Sequence, residues 1–143
     1  MRNYLLIFFS ILLLGNISFS QENAINVKQQ KHIAKFLKYS ISHNNKKIFK
    51  LLDKTYRKEQ LTFLKGNKTQ LIDDLFSGMD IDNENFINMG LENILKIEVA
   101  EVIKNKDNTY KYIFRVRDSE HDILFSLPLK KTKNKYGFIG AMG

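Results

Sequence analysis

The chain has 143 residues, 43% hydrophobic and 27% charged, with a formal net charge of +8. These are globular proportions and exclude a wholly disordered chain or a fibrous repeat. Cysteine is absent, which excludes a disulfide framework, a thiolate zinc site, an iron–sulfur cluster and a cysteine nucleophile.

Arg2 opens the chain with a positive charge, residues 4–14 form an apolar run, and Gly15 and Asn16 break it. Ser18 and Ser20 supply small residues at −3 and −1 of a cleavage site, with Gln21 as the first mature residue. This layout matches a signal peptide over residues 1–20. The eleven residues of this run rise about 16 Å as a helix, short of the roughly 20 residues a bilayer span requires. No cysteine follows the run, so a lipid anchor is excluded, and no later segment is apolar enough to span. The expectation is an exported bacterial protein, periplasmic or secreted, without a transmembrane segment once cleaved. Residues 21–30 are polar and are expected to be a flexible N-terminus, leaving 31–143 as a single domain.

Apolar positions Ile33, Phe36, Leu37 and Ile41 predict a helix over about 27–41, with Lys31, Lys35 and Lys38 outward. Ser42-His43-Asn44-Asn45 is a turn, and Asn44 or Asn45 can cap a second helix over about 45–64. Its stripe is Ile48, Phe49, Leu52 and Tyr56. Gly66 suits a helix C-cap, and Asn67 with Gln70 resembles a capping box that starts a third helix, ended by Gly78. Residues 79–93 read as a loop with room for a short strand or turn.

The period then changes to two. Residues 94–104, 109–117, 122–130 and 136–141 read as strands separated by short turns. Tyr110, Tyr112, Phe114 and Val116 share one face of the second, with Lys111, Arg115 and Arg117 on the other. Helices followed by an antiparallel meander define the α+β class: about three helices covering one face of a four-stranded sheet.

The order of these parts resembles the small exported members of the nuclear transport factor 2-like superfamily, the cystatin-related α+β cone. The resemblance rests on the leader, the hairpin turn Ser42-His43-Asn44-Asn45 and the region Leu52-Asp53-Lys54-Thr55-Tyr56-Arg57. It also rests on the final strand after a Lys/Asn turn, Lys133 to Ile139. It implies a curved sheet forming a cone, whose mouth can hold a small ligand or a partner. Enzymes of that superfamily use Asp and His inside the cone, and no such pair maps onto this chain.

Charge is segregated. Residues 21–68 carry 12 basic and 3 acidic side chains, residues 69–102 carry 1 and 8, and residues 103–143 carry 9 and 4. Arginine is scarce in the mature chain, and export argues against nucleic acid, so no nucleic-acid partner is assigned. His32, His43 and His121 have no metal or triad spacing and read as surface residues, His121 titrating slightly high beside Asp118, Glu120 and Asp122. Asp80, Asp82 and Glu84 have the alternate spacing of a calcium loop but lack its Gly at the sixth position and Glu at the twelfth. They are the candidate metal ligands against a solvated acidic loop.

Glu98 and Glu101 fall on opposite faces of their strand by parity, so one is a candidate for the packed face, where a carboxylate would be a raised-pKa base. Tyr110, Tyr112 and Phe114 are core at strand period, and a ligand wall if part of them lines a pocket. No nucleophile elbow, P-loop or dinucleotide fingerprint occurs, and no catalytic residue or cofactor is assigned. The leading expectation is a non-enzymatic binding or interaction domain for a small ligand or an envelope protein. The alternatives are a cone-fold isomerase, dehydratase or hydrolase with a buried carboxylate, and an envelope adhesion or assembly component using the basic helical face.

Overall fold

A computed structural model describes residues 26–107 and 109–140. The expected signal peptide, its cleavage site and residues 21–25 lie outside the described residues. Among the described residues, four α-helices precede the strands: α1 (Val27–Ile41), α2 (Asn45–Leu51), α3 (Lys54–Phe63) and α4 (Lys68–Leu75). Six strands follow: β1 (Ser77–Asp80), β2 (Phe86–Asn88), β3 (Lys96–Lys104), β4 (Tyr110–Arg117), β5 (Asp122–Thr132) and β6 (Lys135–Phe138). They form one antiparallel sheet in the order β2-β1-β5-β4-β3, with β6 also on β5. The α+β class and the β3–β6 meander agree with the alternation in the sequence. The strand count is six rather than four, because residues 77–88 form a hairpin where the end of the third helix and a loop with room for one short strand or turn were expected.

Each helix start has a side-chain cap. Asn26 accepts from the Gln29 amide, Asn44 from Lys47, Asp53 from Thr55 and Tyr56, and Asn67 from Gln70. The first turn of α1 therefore lies inside the stretch expected to be flexible. Gln29 within it is only 1% exposed, and its Nε2 donates to the Tyr112 hydroxyl at 2.7 Å. Ile41 is exposed, and Ser40 turns inward instead, its hydroxyl donating to the Phe36 carbonyl.

The expected second helix is broken. Leu52 makes a parallel bridge with Phe138, and the Asp53 amide donates to the Phe138 carbonyl at 2.8 Å. This contact pulls the backbone out of helical geometry, and Asp53 then caps α3. Gly137 permits the crossing: a Cβ there would stand 2.7 Å from the Asp53 nitrogen and Cα.

β5 is the spine of the sheet. β4 lies along one side; on the other, β1 pairs with Ile123 and Leu124, and β6 with Leu129 to Thr132. Pro128 is tolerated inside β5 because its carbonyl accepts from Ile139, on the side away from β4. Its missing N–H points the same way and leaves the β4 ladder intact. The core lies between this sheet and the helices. Phe36 is its hub, 4.8 Å from Phe138, 5.0 Å from Phe114 and 5.8 Å from Phe76 between ring centroids.

Candidate functional site

The face of the sheet beneath the helices is filled by side chains. Phe114 packs on Phe125 at 5.3 Å and on Tyr112 at 6.1 Å. Phe114 and Tyr112 are both buried and Tyr110 is half-buried at the margin. Burial raises the Tyr112 hydroxyl far above its ordinary value, outweighing the hydrogen bond from Gln29. Two members of the aromatic stripe are thus core, and none of the three lines the surface recess of about 370 Å³ at the start of α1. That recess is lined by Asn26, Val27, Lys28, Lys131, Asn134 and Tyr136.

Glu98 and Glu101 are not on opposite faces. A β-bulge between Val99 and Glu101 leaves Ala100 without a partner, so Glu98 opposes Arg115 and Glu101 opposes Ile113. Arg115 and Ile113 both point away from the helices, and so do both glutamates. Glu101 is exposed. Glu98 pairs with Lys96 Nζ at 3.2 Å and Arg117 Nη2 at 3.8 Å. The general-base reading of a buried carboxylate fails for this pair, since neither meets the core.

The acidic string is the loop of the β1–β2 hairpin. Asp80 turns inward, 2% exposed, and its Oδ1 accepts from the amides of Asp82 at 2.8 Å and Asn83 at 3.1 Å. Its Oδ2 is buried without a hydrogen-bond partner. Asp82 and Glu84 are exposed, Glu84 in the left-handed region at φ 56°. Asp80 has therefore become the cap of a tight turn. Among the described residues, no group of three acidic or histidine side chains stands close enough to hold a metal ion.

The outer face of the sheet carries most of the organised polarity. One row crosses it in register: Phe86, Met79, Leu124, Arg115, Glu98. Its first three members are exposed apolar side chains. At the other end Asp122 takes Arg115 through two contacts, 2.8 and 2.6 Å, and Arg117 Nε at 2.8 Å. The hydrogen bonds from Arg115, reinforced by Arg117, hold the Asp122 carboxyl below its ordinary range. His121 lies 3.2 Å from Asp118, whose hydrogen bond raises the imidazole, as the neighbouring carboxylates predict.

The other two histidines tie distant segments together, His43 from the exposed position expected of it and His32 from a half-buried one. His43 Nε2 lies 2.8 Å from the Ile94 carbonyl. His32 Nε2 lies 3.1 Å from the Leu51 carbonyl, with its ring 5.2 Å from Phe138. Burial lowers His32 to about 4, against the opposing pull of that carbonyl, with Lys35 lowering it further.

The helical layer is basic. Lys28, Lys31, Lys35, Lys46, Lys47, Lys50, Lys54 and Lys58 are all exposed. No helix of the described residues is long and apolar enough to cross a membrane. Comparison with models of known protein families, with curated proteins and with solved structures gave no match.

Proposed function

We propose that this chain is an exported, non-enzymatic interaction domain with the cone-like organisation of the nuclear transport factor 2-like superfamily. The observation that carries the reading is how the interior is used. Phe36, Phe76, Phe114, Phe125 and Phe138 fill the space where that fold would hold a ligand. The two glutamates offered as a base stand outside, one of them ion-paired. Recognition then belongs to the surface, through either the outer sheet face or the basic helical layer.

The test is native mass spectrometry of the protein purified from its own host, alongside affinity capture and compartment fractionation. The reading expects the bare chain mass, recovery outside the cytoplasm, and a macromolecular or membrane partner lost on surface substitution. A small molecule retained in stoichiometric amount and released on unfolding would overturn it.

A further inference from the structure

α3 is an unusual helix in this fold, since it buries no residue. Tyr56, Arg57, Gln60 and Leu61 lean half-buried on the domain; Lys54, Lys58, Thr62 and Phe63 are exposed. Phe63 is 81% exposed, above every other large apolar side chain among the described residues. It ends the helix, and the chain reverses just beyond it through Lys65 and Gly66, both at positive φ, into α4. Phe63 therefore stands beside a projecting corner.

That corner is cationic. At the turn end of the two helices, residues 58–68 carry Lys58, Lys65 and Lys68 against the single acid Glu59, while the other acids, Asp53, Asp73 and Asp74, stand at the far ends of the helices, toward Lys54. The Phe49 ring draws Arg57 and Lys68 together from different helices. The Arg57 guanidinium lies 5.0 Å from its centroid and Lys68 Nζ 5.5 Å. The Arg57 Nε is buried without a hydrogen-bond partner. The ion pairs Lys96–Glu98, Arg115–Asp122 and Arg117–Asp122 belong to the sheet and neutralise none of these charges.

We infer that the α3–α4 corner docks on the surface of an anionic phospholipid bilayer, with Phe63 entering the headgroup–acyl boundary and the lysines meeting the phosphates. The inference rests on the interaction-domain reading above and names the partner. Net positive charge selects an anionic surface. A soluble polyanion would satisfy the lysines but gives an exposed phenyl ring nowhere to go, whereas a bilayer boundary takes both. A second copy of the chain would set like charge against like.

The chain has no tryptophan, so a single indole reports its own surroundings. The probes are Phe63→Trp and, as a control on the outer sheet face, Phe86→Trp, where the native ring is 70% exposed. Both are made in the exported protein as its host processes it. They are mixed with vesicles of phosphatidylglycerol and phosphatidylcholine in equal parts, and with vesicles of phosphatidylcholine alone. The expected result for Phe63→Trp is a blue shift and quenching by brominated acyl chains on the anionic vesicles, lost in high salt, with Phe86→Trp unchanged. In cosedimentation of the otherwise native chain, each of Lys58→Gln, Lys65→Gln and Lys68→Gln should weaken binding about fivefold, and Phe63→Ser should weaken it more. Equal binding to both vesicle types, an unshifted Phe63→Trp spectrum, or a shift at Phe86→Trp instead would each overturn the inference. If vesicles are ignored while host capture still returns a stoichiometric partner, the bilayer inference falls and the interaction-domain reading stands.

Discussion

Tyr112→Phe separates a core role from a ligand-wall role at the same position. In the native protein the Tyr112 hydroxyl accepts from Gln29 Nε2 at 2.7 Å, and both side chains are buried. Removing the hydroxyl leaves a dry amide donor with no water to replace its partner. The cost of such an orphan is about 1–3 kcal/mol. For a domain of this size, 2 kcal/mol lowers Tm by roughly 8 °C. Gln29→Met leaves the hydroxyl orphaned instead and should cost a similar amount. The double variant removes both polar groups and replaces them with apolar ones of nearly the same shape. It should recover much of the loss, giving a coupling of about 1–2 kcal/mol between the two sites. Urea melts followed by circular dichroism on the four proteins of the cycle measure this directly. If Tyr112→Phe melts with the native protein, or the two losses simply add, the hydrogen bond is not the interior clamp described here.

Other outcomes follow from the same packing. His32 is held neutral in the fold at about 4 against an ordinary 6.5, so the unfolded chain binds the extra proton between those values. Stability is complete above pH 6.5 and should fall by at most about 3 kcal/mol as pH drops to 4; His32→Asn should flatten that slope in urea midpoints measured across the range. His121 works in the opposite sense. Its raised value stabilises at acidic pH, a contribution lost as pH rises through that value, and Asp118→Asn should return its imidazole titration by NMR to the ordinary range. Gly137→Ala drives a Cβ against the Asp53 backbone at 2.7 Å and should cost about 1–3 kcal/mol, read as a lowered urea midpoint. Glu101→Gln, on an exposed outward position, should stay within about 0.5 kcal/mol of the native protein.

The strands were legible because β4 and β5 alternate without interruption, and a half-buried sheet imposes that period. The cap at Asn67 was legible, and that at Asn44 was one of two candidates with Asn45, for a local reason: cap and capped amide lie three residues apart. What escaped is what distant parts of the chain do to one another. The apolar stripe runs smoothly through Leu52, so nothing local announces that Phe138 will take that residue into a bridge. The β1–β2 hairpin escaped because three- and four-residue strands are too short for a period to register. Glu98 and Glu101 were misplaced by parity alone, since a bulge adds one residue and reverses every side chain beyond it. His32 looked like a surface residue because its carbonyl partner, Leu51, lies on another element. The α3–α4 corner was half visible: its lysines are in the sequence, but nothing local sets Phe63 apart until the helix is seen to bury nothing.

The contact between Phe138 and the Leu52–Asp53 break sets an order of events. α1 meets the last hairpin too, through Asn26 and the Tyr136 hydroxyl, 110 positions apart in the chain. The first helices made thus depend on the final strand for their seat. A nascent chain lacking β6 has no partner for the Leu52 break and no lid over His32. A chain truncated before Phe138 should therefore remain protease-sensitive throughout its helical half. The fold is fastened at its last stitch, and a nick or truncation there would loosen the opposite end of the chain first.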